Sequence, residues 1–387
     1  MERIFKEGFD FDKIIKNFEI IYSLKEIKQN PKYHKEGNVF IHTKNVCKEL
    51  IKLKEWNFLS FDEKITVYMA ALFHDIGKIT CTKVENNEIV SPKHAIRGSK
   101  TFREICYKEY EEKFNISFKM RENIASLIKY HGFPLVFLEK DSIDYELIKV
   151  SECLNMNLLY ILSKADVLGR ECSDKELILN KVEYFREYSI EIGCFYEKIK
   201  FFNEYTRFKY FKDNNIWYKD EIFDVTSFNV IIMCGLPLAG KDTYIKENFK
   251  EIEVISLDDI REEFNISPRE NSGKVANIGK ERAKKYLREK TSFVWNATNL
   301  VAETRKKLID LFSSYGAKVE IIYVEARYKE LLKRNKKRER TIPINILNKM
   351  IHKFDFPEAF EGYYFKTYKS LNKNITGNDL QIIENKV

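Results

Sequence analysis

The chain has 387 residues, 33% of them charged, and a formal net charge of +8. That length supports two or three domains with real cores, and the modest positive excess fits an RNA or phosphate-rich partner without requiring one. Seven scattered cysteines with no C-x-x-C pair argue against a disulfide framework or a zinc finger. With no secretory h-region and no run of about 18 apolar residues, the sequence predicts a cytoplasmic protein that does not span a membrane.

Residues 1–222 are poor in strand signals. Leu, Ile and Phe recur three and four residues apart among Lys and Glu, which predicts an all-helical domain with its core at about 30–172 and a helical extension over 173–222. Five of the six histidines lie here. His42 lies in N-V-F-I-H-T, His74-Asp75 in A-A-L-F-H-D-I-G-K, His94 in S-P-K-H-A-I-R-G and His131 in K-Y-H-G; Asp166 follows in S-K-A-D-V-L-G-R. Imidazole nitrogens and carboxylate oxygens are what a divalent ion of the Mn, Fe, Co, Ni or Zn kind accepts. Ligands spread over several helices suit a site in the core of a helical bundle. A His-Asp pair closing an apolar run is costly to bury unpaired, and a metal is its natural partner. His34 and His352 read as ordinary core or surface residues.

The order His42, His74-Asp75, Asp166 resembles the HD phosphohydrolase superfamily. Its flanks, P-K-Y-H-K-E-G-N-V-F-I-H-T and A-L-F-H-D-I-G-K, are similar to the HD domain of bacterial tRNA nucleotidyltransferases. The resemblance implies that these four positions hold one metal ion, with catalysis at Asp75, and that His94 and His131 are the extra ligands of two-metal members. Lys78 and Arg170 sit one helical turn from these residues. The sequence assigns them to a substrate phosphate, with a surface lysine and a structural arginine as the open alternatives.

Between Tyr184 and Phe211 aromatics interleave with Lys and Arg. This reads either as a stacking surface for nucleic acid or, more plainly, as a helical pair docking its aromatic stripe on a neighbouring domain. Lys212-Asp213-Asn214-Asn215 reads as a turn, with the domain border between Trp217 and Phe228 and a second domain over 226–387.

That domain opens with V-I-I-M-C-G-L-P-L-A-G-K-D-T, Val230 to Thr243. A buried strand, a glycine-bracketed turn and a helix start in this order let backbone N–H groups wrap a phosphate, with the positive end of the helix behind it. Gly235 and Gly240 bracket the loop and Lys241 reaches the outer phosphates of ATP. The position usually filled by Ser or Thr for magnesium is Asp242, with Thr243 one further on; either can serve the ion. Strands follow over 253–256, 292–295 and 318–324, with a charged helix over 274–290, which predicts an α/β domain with a mainly parallel sheet. Asp258, at a strand's carboxyl edge, reads as a general base for an attacking hydroxyl or as a helix cap. The basic run Arg334 to Arg340 reads as a lid over the γ-phosphate or as a solvated helix.

G-L-P-L-A-G-K-D-T, L-D-D-I-R, A-T-N-L and K-R-N-K-K-R resemble, in order, the polynucleotide kinase branch of P-loop phosphotransferases. The resemblance implies Asp258 as base for a polynucleotide 5′-hydroxyl and Arg261 on the adjacent substrate phosphate. It implies Lys241 on the transferring phosphate and Arg334 and Arg338 as lid contacts to ATP with Mg²⁺; Thr298 and Asn299 fall near the substrate. The two-domain order is similar to that of the HD-domain polynucleotide kinases. It implies an end-healing enzyme that removes a 2′,3′-cyclic phosphate or 2′-phosphate and phosphorylates 5′-hydroxyl ends. RNA ends are the expected partner, DNA ends the alternative, and a ligase would act on the product. A nucleotide or nucleoside kinase fused to a nucleotide phosphohydrolase, and a nucleotide-binding sensor without turnover, are the other readings.

Overall fold

Four polar residues start the helices that frame the first unit, Met1–Ile199. Asn38, Ser60, Ser117 and Asn155 each accept a backbone N–H from the first turn, and Ser60 forms a reciprocal capping box with Glu63, satisfying donors that a helix leaves orphaned. The helices they start are Val39–Leu50, Phe61–Phe73, Phe118–Tyr130 and Met156–Gly169. The computed structural model describes residues 1–213, 215–267, 270–369 and 382–383; the Asn214 position of the expected turn falls outside them. Met156–Gly169 packs on Val39–Leu50, and Phe61–Phe73 packs on both Phe118–Tyr130 and Val39–Leu50. The core between them includes Tyr68, Ala70, Leu72, Phe73, Leu159 and Leu162, all essentially without exposure. One departure from the all-helical expectation is a small antiparallel hairpin, Lys83–Glu85 with Glu88–Val90. Asn86 and Asn87 turn it at φ of 50° and 63°, the left-handed geometry that a two-residue hairpin loop needs and that Asn tolerates.

The second unit begins at Lys200, earlier than the border read from the sequence. The reason lies in two helices that the sequence grouped together. Lys175–Ile192 buries Phe185 against Phe133 and Phe137 of the first unit. Glu204–Lys212 belongs to the second, where Tyr205 and Phe208 lie against the Tyr363 ring and Arg207 donates to the Ala359 carbonyl. The aromatic stripe is therefore split between two cores.

The sheet of this unit runs in the order Glu253–Ser256, Phe293–Asn296, Phe228–Cys234, Ala317–Glu325, Tyr364–Lys369, Ile382–Ile383. The first five strands are parallel and the last is antiparallel. Phe228–Cys234 lies at the centre, buried at every position but Asn229, as a strand covered on both faces must be. Tyr364–Lys369, in a segment to which the sequence gave no role, extends the sheet by pairing Tyr323 with Thr367. Among the described residues no helix is long and apolar enough to cross a membrane, and no two cysteines are joined in a disulfide.

Candidate active sites

Six residues from five segments of the helical unit converge in its interior. His42 lies within Val39–Leu50, His74-Asp75 just past Phe61–Phe73, His94 at the start of His94–Ile105, His131 just past Phe118–Tyr130 and Asp166 near the end of Met156–Gly169. The His42 Nε2 is 3.0 Å from Asp166 Oδ1 and 3.3 Å from His74 Nε2. His74 Nε2 is 3.3 Å from Asp75 Oδ2, and His94 Nε2 is 3.4 Å from Asp75 Oδ1. The His131 ring stands 5.1 Å from that of His74 and 5.4 Å from that of His94. All are buried except His94, which is partly open to solvent.

The tautomers follow from the backbone. His74, His94 and His131 each place Nδ1 2.8 Å from the carbonyl three residues earlier, of Ala71, Ser91 and Ile128. A carbonyl can only accept, so Nδ1 carries the proton and Nε2 turns a lone pair inward. Asp75 Oδ1 is buried without a hydrogen-bond partner among the described residues, a deficit of about 1–3 kcal/mol that a cation would relieve. The donors form two triads sharing Asp75, namely His42, His74, Asp75 and Asp75, His94, His131, with ligand atoms within 4.8 Å in each. This donor set fits one or two divalent transition ions, and such ions, when bound, polarise phosphoryl oxygens and lower the pKa of water.

Charge is balanced around the cluster. Burial would raise Asp75 and Asp166, yet Lys78 and His74 hold the first, and Arg170 and His42 the second, well below the carboxylate range. Burial pushes His131 down to about 3, aided by His74 and His94, and also lowers His94. His74 is raised because the Asp75 carboxylate outweighs its burial. Lys78 and Arg170, read from the sequence as contacts to a substrate phosphate, are engaged with these carboxylates. Lys78 Nζ is 2.7 Å from Asp75 Oδ2 and donates to Gln29 Oε1 at 2.7 Å; Arg170 grips both Asp166 oxygens at 2.6 and 3.2 Å.

Glu36, which the sequence did not single out, and His34, read as an ordinary core or surface residue, stand beside the cluster. The Glu36 Oε1 is 2.8 Å from His34 Nδ1 and 2.9 Å from His42 Nδ1. The available signal was a His-x-Glu pair ending six residues before His42; the segment itself is a turn, in which Gly37 N–H donates to His34 O at 3.4 Å.

In the second unit the phosphate loop leaves the central strand at Gly235, whose φ is 146° and where a Cβ would lie 2.6 Å from Val324 O; only glycine fits there. Gly235 N–H donates to Thr298 O at 3.0 Å, and Gly240, at φ 106°, opens the Lys241–Asn248 helix. The buried Lys241 ammonium donates to the carbonyls of Gly235 and Leu236 at 3.1 and 3.0 Å, and burial lowers its pKa against the pull of Asp242, Cys234 and Asp258. Arg334 donates to Leu238 O and Ala239 O at 2.9 and 3.1 Å, so the basic segment touches the loop. Arg338 is exposed, and its charge reaches Lys241.

The Leu257–Glu263 helix is capped by Ser256, whose Oγ accepts from Asp259 N at 3.2 Å. Asp258 is thus not the cap; its carboxylate is exposed within the electrostatic reach of Lys241. Asp242 and Thr243 are both exposed at the helix start, and Asp242 accepts from Asn296 Nδ2 at 2.7 Å. Two expected substrate contacts have other tasks. Arg261 donates to Ser267 O, Glu270 O and Ser272 Oγ, tying down the loop after its helix. Asn299 is buried and donates to Met233 O at 2.7 Å, stitching the strand-end turn to the central strand. Thr298 contributes its carbonyl to the loop.

Comparison with known proteins agrees with this division. Residues 39–154 match the HD domain family and residues 230–357 match an AAA domain family. The chain is 29% identical over 135 residues to the L-seryl-tRNA(Sec) kinase of Methanococcus maripaludis, a match covering 33% of this chain and 53% of that protein. The chain thus spans about half the length of that curated relative. The molecule is built as an HD-type helical domain followed by a kinase-like P-loop domain.

Proposed function

We propose that the protein is a bifunctional nucleic-acid end-healing enzyme, acting on RNA ends. Its P-loop domain transfers the γ-phosphate of ATP to a 5′-hydroxyl, and its HD-type domain hydrolyses a 2′,3′-cyclic phosphate or 2′-phosphate. The observation that carries this reading is the presence in one chain of two phosphate chemistries that need different machinery. One is a buried His/Asp cluster with an unpartnered Asp75 oxygen. The other is a glycine-bracketed loop around Lys241 with an exposed carboxylate, Asp258, in reach.

Asp258 would take the proton of the attacking hydroxyl as it reacts. Lys241, Arg334 and Arg338 would balance the charge that spreads over the transferring phosphoryl oxygens. In the helical unit His42, His74, Asp75 and Asp166 would hold one ion, and His94 and His131 with Asp75 a second. Lys78 and Arg170 keep the carboxylates ionised. ATP with Mg²⁺ would serve the kinase site, with a downstream ligase as the functional partner.

A second reading takes its support from the relative's name, a kinase that phosphorylates a seryl-tRNA: the acceptor hydroxyl would sit on an aminoacyl group carried by RNA. Both are decided by one comparison. Label transfer from γ-labelled ATP is measured to a 5′-hydroxyl oligoribonucleotide, to free nucleosides and to seryl-tRNA, alongside Mn(II)-dependent loss of a terminal 2′,3′-cyclic phosphate. Transfer to the oligonucleotide together with cyclic-phosphate hydrolysis supports end healing; transfer confined to nucleosides or to seryl-tRNA replaces it.

A further inference from the structure

Between the surface and the His/Asp cluster, Glu36 joins two histidines. Its carboxylate is wholly shielded from solvent and so is the His42 side chain, while His34 keeps 11% of its side-chain surface. Oε1 lies 2.8 Å from His34 Nδ1 and 2.9 Å from His42 Nδ1, and Oε2 accepts the Glu171 N–H at 3.0 Å. Burial alone would raise the Glu36 carboxyl, but the two imidazoles hold it low. The His34 contact is a hydrogen bond; the His42 contact has the length of one but not its alignment, and the buried His42 Nδ1 has no other partner among the described residues. We infer that Glu36 is a positioning residue for the metal centre: it fixes the His42 ring with Nδ1 protonated, so that Nε2 faces Asp166, His74 and Asp75.

His42 is the member of the cluster that needs such a partner. His74, His94 and His131 are oriented by carbonyls of their own turns. Among the described residues the His42 Nδ1 has no such carbonyl, and the Glu36 Oε1 stands 2.9 Å from it. A carboxylate behind a ligating imidazole sets its tautomer and raises its basicity. Both Glu36 oxygens are already engaged. The carboxylate is itself anchored from a distance, because the Glu171 amide follows Arg170, which grips Asp166. The loop carrying Glu36 is therefore tied to the segment that holds the opposite ligand. His34, Glu36 and His42 also satisfy the composition of a small ion site, but contacts of hydrogen-bond length on Oε1 and a backbone donor on Oε2 assign protons, not an ion, to that space.

This inference rests on the reading of the helical unit as a metal centre, and the test separates the two. Mn(II) binding to the full chain is measured by chelator competition and by metal content at saturation, for the wild type, Glu36→Ala and Glu36→Gln. Thermal melting of the metal-free proteins controls for folding. Glu36→Ala is expected to bind the same number of ions about 10- to 100-fold more weakly. Glu36→Gln, which keeps an acceptor oxygen and the side-chain volume, should fall between. Unchanged affinity in both folded variants, or loss of a whole equivalent of Mn(II) at saturation, would overturn the positioning role. Absence of Mn(II) binding by the wild type would instead overturn the metal-centre reading.

Discussion

Asp258 shows how an ordinary residue becomes informative through its neighbours. Aspartate just after a strand reads equally as cap or base, and here Ser256 takes the capping bond. On the proposed function, the exposed Asp258 carboxylate near the buried Lys241 would meet the incoming hydroxyl. Asp258→Asn is therefore expected to lower kcat for phosphoryl transfer about 10²- to 10⁴-fold while nucleotide affinity, read by equilibrium titration with ATP, changes little. A matching loss of ATP binding would mean that the carboxylate shapes the loop instead. The His and Asp positions of the helical unit were legible as residues because adjacent polar groups ending an apolar run have few tolerable fates. Arg261, Asn299, Lys78 and Arg170, assigned to substrate from their types, are each engaged within the chain. Their types suit phosphate contacts, but a side chain's direction at a strand end or helix end depends on which nearby carbonyl or carboxylate it meets first. Here these were Ser267 O, Met233 O, Asp75 and Asp166.

Two elements reach the His/Asp cluster only because a glycine lets them touch. A Cβ at Gly77 would lie 2.0 Å from His94 O and 2.5 Å from Gly98 N, so the turn after Asp75 and the helix that begins at His94 are in direct backbone contact. Gly77→Ala should cost about 1–3 kcal/mol or more by overpacking, seen in urea melts, and should weaken Mn(II) binding by pulling His94 from Asp75. Normal stability would show that the two elements part easily. A second constraint pins the His94–Ile105 and Phe118–Tyr130 helices: buried Glu122 accepts from Arg103 Nε at 2.7 Å and from Arg121 Nε at 2.8 Å. Burial opposes ionisation of Glu122, but Arg103 and Arg121 outweigh it and lower its pKa from 4.5. Because the folded value lies below the unfolded one, the stabilisation is complete above pH 4.5 and is lost as pH falls through the folded value. Glu122→Gln should cost about 3–5 kcal/mol at neutral pH and flatten the acid limb of the stability profile. At this scale, the parallel strands could be read from apolar runs, whereas Tyr364–Lys369 could not. Aromatics alternating with Lys near a sheet edge carry no clear periodic signature, and pairing with Ala317–Glu325 decides their state.

Across the whole molecule, the sequence read the order of the two domains correctly from their motifs, while compact packing divides the chain at Lys200, earlier than the expected border. Periodicity sees two similar helices at Lys175–Ile192 and Glu204–Lys212; tertiary packing sends them to different cores. On the proposed function the two sites draw on different ions, and they should respond separately to metal removal. Treatment with 1,10-phenanthroline in excess Mg²⁺ is expected to abolish cyclic-phosphate hydrolysis and spare 5′-phosphorylation, since nitrogen-rich sites favour transition metals and phosphate-bound sites favour Mg²⁺. Equal inhibition of both reactions would show a shared ion.

The central claim is that one chain carries two chemically independent phosphate sites. Its most direct test uses an RNA bearing a 5′-hydroxyl at one end and a 2′,3′-cyclic phosphate at the other, with both ends followed in the same reaction. The account predicts that Lys241→Ala loses 5′-phosphorylation and keeps hydrolysis of the cyclic end, while Asp75→Ala does the reverse. Loss of both reactions in either folded variant would contradict it.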